Sequence, residues 1–154
     1  MAFSTLGGNV INESQKSEGQ KSPLSLNVKV MVIDDSKTIR RSAETLLKKV
    51  GCDVITATDG FEALAKISEH HPDIIFVDIM MPRLDGYQTC ALIKNNQTFR
   101  STPVIMLSSK DSIFDRARGR IVGSEEYLTK PFSKEDLINA ITAHVDGCNE
   151  LTTT

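Results

Sequence analysis

The sequence predicts an α/β fold, a doubly wound parallel sheet of five strands with a helix after each. Three observations predict it. Short β-branched runs alternate five times with segments of helical periodicity. The connections between successive runs are too long for hairpins, so the strands run parallel through right-handed crossovers. The runs at 28–33 and 74–77 are apolar with little alternation, as strands buried on both faces require.

Taken in order, residues 1–27 are Gly, Ser, Gln, Asn and Lys with scattered apolar residues. They bury too little apolar surface to offset the entropy of ordering, so a flexible tail is expected there. A docking peptide built on Phe3, Leu6, Val10 and Ile11 is the sharper alternative. The folded domain is expected over 28–146, with a polar C-terminal tail over 147–154.

The first strand, 28–33, runs into Asp34 and Asp35. Ser36 caps a helix with Ile39, Ala43, Leu46, Leu47 and Val50 at helical spacing, ending at Gly51. Its other face carries Lys37, Arg40, Arg41, Lys48 and Lys49, read as a solvated basic face or as a docking surface for an acidic partner. A second strand spans 52–57. Asp59-Gly60-Phe61-Glu62 opens a helix that turns Leu64 and Ile67 inward and stops before His71-Pro72.

The central strand, Ile74-Ile75-Phe76-Val77-Asp78, leads into the Pro- and Gly-containing loop Met80 to Gly86, and a helix follows from Tyr87 to about Lys94. A fourth strand, 103–107, ends in Ser108-Ser109. Asp111 is placed to cap a helix with Ile113, Ala117 and Ile121 spaced by four, before Gly123. The fifth strand, 126–129, runs into Lys130-Pro131. Ser133-Lys134-Glu135-Asp136 reads as a capping box for a last helix carrying Leu137, Ile138, Ile141 and Val145.

Composition narrows the function. The 154 residues, 40% apolar, suit one domain. A net charge of −2 exerts no general pull on nucleic acid or anionic membrane, and neither is expected as a partner. No apolar run approaches the roughly 20 residues that span a bilayer, and the start lacks a basic region followed by an apolar core. A cytoplasmic location is expected. Cys52, Cys90 and Cys148 are odd in number and lack paired metal spacing, as do His70, His71 and His144, so reduced thiols are expected.

A strand order of 2-1-3-4-5, the flavodoxin-like arrangement, puts the ends of the first and third strands side by side at the switch point of the sheet. Asp34, Asp35 and Asp78 then meet on one rim. Three carboxylates so close repel one another and are tolerated around a divalent cation; oxygen ligands with room for water select Mg²⁺. One carboxylate on such a rim can attack phosphorus and form an aspartyl phosphate. Lys130 contributes a cation for the phosphoryl oxygens and Ser108 a hydroxyl donor.

Ile33-Asp34-Asp35-Ser36, Val77-Asp78 with Met81-Pro82 and Gly86, Ser108 and Lys130-Pro131-Phe132 together resemble the CheY-like receiver domain of two-component response regulators. The likeness covers about 28 to 145. The wording of 29–41 and 76–95 is similar to regulators of twitching motility and type IV pili. The resemblance implies that Asp78 is the phosphoacceptor and that the Met80 backbone carbonyl joins Asp34, Asp35 and Asp78 around Mg²⁺. It implies that Ser108, Lys130 and Tyr127 sense the phosphoryl group and switch, with a cis peptide between Lys130 and Pro131. Met80 and Lys110 match positions that flank the phosphoryl group and tune its loss. The partners implied are a chemosensory histidine kinase or its phosphotransfer domain, and a downstream effector of the pilus machinery. The protein is expected to be a stand-alone switch rather than an enzyme, assisting only its own phosphorylation and dephosphorylation.

Alternatives share parts of this pattern. A regulator of the same system with the opposite output shares the whole rim. A Mg-dependent phosphohydrolase of the haloacid-dehalogenase type uses Asp-x-Asp, where this chain has Asp34-Asp35-Ser36 and no cap domain. A flavin carrier needs a Gly- and Thr-rich phosphate loop where the acidic pair stands. A receiver that no longer takes phosphate would act only as a scaffold.

Overall fold

The computed structural model describes residues 26–109 and 113–145. Its strands are β1 (Lys29–Ile33), β2 (Asp53–Ala57), β3 (Ile74–Asp78), β4 (Val104–Ser108) and β5 (Glu126–Thr129). The helices are α1 (Lys37–Lys49), α2 (Gly60–His70), α3 (Gly86–Lys94), α4 (Ile113–Ile121) and α5 (Lys134–His144). All strand pairs are parallel, in the order β2-β1-β3-β4-β5. This is the doubly wound, flavodoxin-like topology the alternation predicts.

Two apolar layers flank the sheet. Val30, Val32, Ile74, Phe76, Ile105 and Leu107 face α1 and α5, where Ala43, Leu47, Leu137 and Ile141 meet them. Met31, Ile33, Ile75, Val77, Val104 and Met106 face α2 and α3, through Ala63, Ile67, Cys90 and Ile93. β3 and β4 are buried along their full length, which is why their sequences are continuous apolar runs. Leu26, assigned by its polar neighbours to the leading tail, is 2% exposed, and its N–H donates to the Val50 carbonyl at 2.8 Å.

Side-chain caps set the helix starts. Ser36, Asp59, Asp85 and Ser133 each accept an N–H from the first turn of α1, α2, α3 and α5. At α3 and α5 the box is reciprocal, closed by Gln88 and Asp136. In α2 the Glu62 carboxylate instead reaches back past the cap to the Thr58 N–H and hydroxyl, at 2.8 and 2.7 Å. These bonds and Lys66 hold its pKa down to about 2. α2 ends at His71 in the left-handed region, just before Pro72.

α4 departs from the expected pattern. Ile113 and Ile121 are 85% and 83% exposed, so their spacing does not mark the buried face. Gly119 is buried there instead, with Ser124 Oγ 3.0 Å from where a Cβ would stand and Met106 in van der Waals reach. Asp111 and Lys110 lie outside the described residues.

Candidate functional site

The parallel register assembles the site. Ile33 pairs with Val77, which sets Asp34, one residue further, beside Asp78. Asp78 pairs with Leu107, and Ser108 with Thr129, so Lys130 follows on the next strand over. Neighbouring strands lie about 4.8 Å apart, so residues at matching strand ends are within side-chain reach. Main-chain bonds hold these ends: Asp34 N–H to the Ala57 carbonyl at 3.1 Å, Ile79 N–H to Leu107 at 3.0 Å and Lys130 N–H to Ser108 at 2.6 Å.

Lys130 Nζ donates to Asp34 Oδ2 at 2.8 Å and to Asp78 Oδ1 at 2.9 Å. Asp34, Asp35 and Asp78 each bring a carboxylate oxygen within 4.8 Å of the others. Asp34 is fully buried and Asp78 nearly so, whereas Asp35 is exposed. Ser108 is buried at the end of β4. The Lys130–Pro131 peptide is cis.

Burial raises the Asp78 carboxyl above its ordinary value and the charges of Asp34 and Asp35 add to the rise, while the hydrogen bond from Lys130 pulls the other way. For Lys130 burial disfavours the ammonium, yet the bonds to Asp34 and Asp78 outweigh it and lift its pKa above the usual lysine value. Lys130 therefore stays a cation between two acids. An exclusively carboxylate donor set, with one member open to solvent, suits a hard divalent cation such as Mg²⁺ that keeps some of its water. The residues present fit that ion.

The loop after β3 is braced on both sides. Arg83, at φ +67°, bonds Asp59 at 3.0 Å and lies over the Phe61 ring. Gly86 starts α3 so close to the strand end that a Cβ would stand 2.5 Å from the Asp78 carbonyl oxygen. The Met80 side chain is 72% exposed. It lines a cleft of about 580 Å³ with Asp35, Ser108, Tyr87 and Arg118.

Tyr127 sits inside the sheet edge at 8% exposure, with the Arg116 guanidinium 4.8 Å above its ring. Neither this contact nor a second of the same kind is legible in the sequence. Tyr87 of α3 donates to the Asp115 carbonyl at 3.2 Å, and Arg118 stacks on its ring at 4.3 Å. Burial and the Asp115 charge push the Tyr87 hydroxyl up to about 12, so it remains a donor. α4 is thus tied to α3 and β5 by arginines over tyrosines. The sequence carries the two arginines of this helix, Arg116 and Arg118, but not their tyrosine partners, which lie on other elements.

The response regulator receiver domain family matches residues 30–142. The chain is 82% identical to Protein PilG of Pseudomonas aeruginosa over 118 residues, 77% of this chain and 87% of that protein. Transcriptional regulators match at 37% to 40% identity, and the chain spans about half their length. Among solved structures, chemotaxis protein CheY4 of Vibrio cholerae superposes with TM-score 0.74 at 33% identity, over 77% of this chain and 99% of that one. The receiver domain of sensor histidine kinase PA1611 of P. aeruginosa, solved with a magnesium ion coordinated in its active-site cleft, superposes with TM-score 0.71 at 25% identity, over 77% of this chain and 97% of that one. The topology, the acid-and-amine rim and these matches agree: the chain belongs to the response regulator receiver domain family.

Proposed function

We propose that Asp78 takes a phosphoryl group from a phosphohistidine donor, and that the modification switches a protein-binding face. The observation that carries this reading is the Lys130 ammonium, bonded at once to Asp34 and Asp78 beside a third acid. A cation so placed meets the charge that a phosphoryl group on Asp78 would bring. Receiver domains are signalling switches rather than classical enzymes, and this chain is read as one.

In the transfer, an Asp78 carboxylate oxygen attacks phosphorus as the phosphorus–nitrogen bond to the donor imidazole breaks. The nitrogen keeps the electron pair, and an acyl phosphate forms. Asp34, Asp35, Asp78 and the Met80 carbonyl would hold Mg²⁺, whose chemistry there is to neutralise charge on the phosphoryl oxygens. Lys130 turns one or both of its bonds toward those oxygens, and the Ser108 hydroxyl donates to another. The new charge thereby biases an existing equilibrium between two arrangements of the α4–β5–α5 face. Tyr127 carries the bias outward because Arg116 of α4 rests on its ring.

α4 presents Ile113, Phe114 and Ile121 to solvent, an apolar surface for a protein effector. Met80, exposed at the cleft, and Lys110 are assigned to tuning the loss of the phosphoryl group. The likeness to PilG supports a place in a chemosensory system controlling type IV pili and twitching. A cytoplasmic location fits this role; among the described residues no helix is long and apolar enough to cross a membrane.

A phosphorylated histidine phosphotransfer domain of a chemosensory kinase, carrying labelled phosphate, tests the reading. The label should pass to the wild-type chain and not to Asp78→Ala. Label that stays on the donor, or reaches both proteins equally, would contradict it.

A further inference from the structure

We infer that Arg40 is a positioning residue for the cation site: its guanidinium holds the Asp34 main chain so that the Asp34 carboxylate is presented to the ion and to Lys130. The inference rests on the magnesium reading above. Arg40 Nη1 donates to the Asp34 carbonyl oxygen at 2.7 Å. Asp34 is then held at every polar atom. Its N–H bonds Ala57, Oδ1 accepts the Ser36 N–H at 2.9 Å, Oδ2 accepts Lys130, and its carbonyl accepts Arg40.

That carbonyl lies one residue beyond β1, where the strand ladder ends. A buried acceptor at such a point needs a partner, because leaving it unpaired costs about as much as losing a hydrogen bond. Arg40 sits in the opening turns of α1, where no acidic residue occurs in the first turn. The helix dipole disfavours a cation at that end, and an arginine near a dication site also repels the ion. What sets Arg40 apart from Lys37 and Arg41 at the same helix end is its bond to the buried Asp34 carbonyl. The long, directional guanidinium fork reaches back over the helix cap to the loop, a geometry the shorter ammonium of lysine does not reproduce.

The two effects of Arg40 have opposite signs, which makes them separable. If only its charge mattered, removing it would tighten cation binding. If it positions Asp34, removing it loosens binding despite the lost repulsion. Wild type, Arg40→Met and Arg40→Lys are titrated with MgCl₂ by calorimetry in the absence of phosphodonor, with Asp35→Asn as the control for the site itself. Circular dichroism checks folding.

Arg40→Met should bind Mg²⁺ about tenfold more weakly, as loss of a group that orients a ligand does, with Arg40→Lys in between. Binding by Arg40→Met as tight as wild type, or tighter, overturns the inference. Should Arg40→Met fail to fold, Arg40→Lys decides: weaker binding than wild type supports the inference, and equal or tighter binding overturns it. If wild type takes up no Mg²⁺, or Asp35→Asn binds it unchanged, the metal reading itself fails and the inference falls with it.

Discussion

Asp78 and Lys130 pull stability in opposite directions. The Asp78 carboxyl titrates above its ordinary value, first because it is buried and then because Asp34 and Asp35 stand beside it. Protonation therefore favours the folded state. Stability is therefore lost as pH rises from the ordinary carboxylate range through the raised pKa, and the loss persists above it. Asp78→Asn cannot ionise; it should be more stable than wild type by about 1 kcal/mol at neutral pH, with the gain vanishing in acid, as urea melts across pH will show. Lys130→Met leaves Asp34 and Asp78 buried without their cation and should cost about 2–3 kcal/mol at neutral pH, less once the acids take up protons. In wild type the Lys130 contribution is complete below the ordinary lysine value and is lost as pH climbs through its raised pKa. These acids and this amine were legible in the sequence because each ends or follows an apolar run, and parallel strands end on one rim. Arg40 was not legible, because among Lys37, Arg41, Lys48 and Lys49 it reads as one more solvated cation.

α3 starts against the end of β3, and Gly86 allows that approach. A Cβ there would meet the Asp78 carbonyl oxygen at 2.5 Å and Ile79 Cα at 2.7 Å, both main-chain atoms that cannot rotate away. Gly86→Ala should cost at least about 2 kcal/mol by denaturant melting, as forced overpacking does. Tyr87→Phe keeps the ring under Arg118 but loses the bond to Asp115, so a loss of about 1 kcal/mol is expected. Strands and helix caps were readable from local composition. α4 was readable as a helix but not in its orientation: its buried point is a glycine against β4, and its anchors are tyrosines distant in sequence. The burial of Leu26 was hidden for a similar reason, since one apolar residue among polar ones carries no periodicity.

Across the whole molecule, a sheet packed on both faces holds the rim, while α4 meets it through Gly119 and through Arg116 over Tyr127. In the proposed switch, charge added at the rim would act first on Lys130 and Ser108, and the Arg116 guanidinium over the Tyr127 ring would link the rim to α4. Binding of Mg²⁺ to the folded chain alone would raise its stability by about 2.7 kcal/mol at a hundredfold excess over Kd, and Asp35→Asn should abolish the rise. The proposed switch depends on Asp78, served by this cation site, accepting a phosphoryl group. Incubation with acetyl phosphate and Mg²⁺, followed by intact-mass measurement, tests it most directly. Wild type should gain one phosphoryl increment that disappears with chelator and is absent from Asp78→Ala; an increment retained by Asp78→Ala, or none on wild type, would rule out phosphorylation of Asp78.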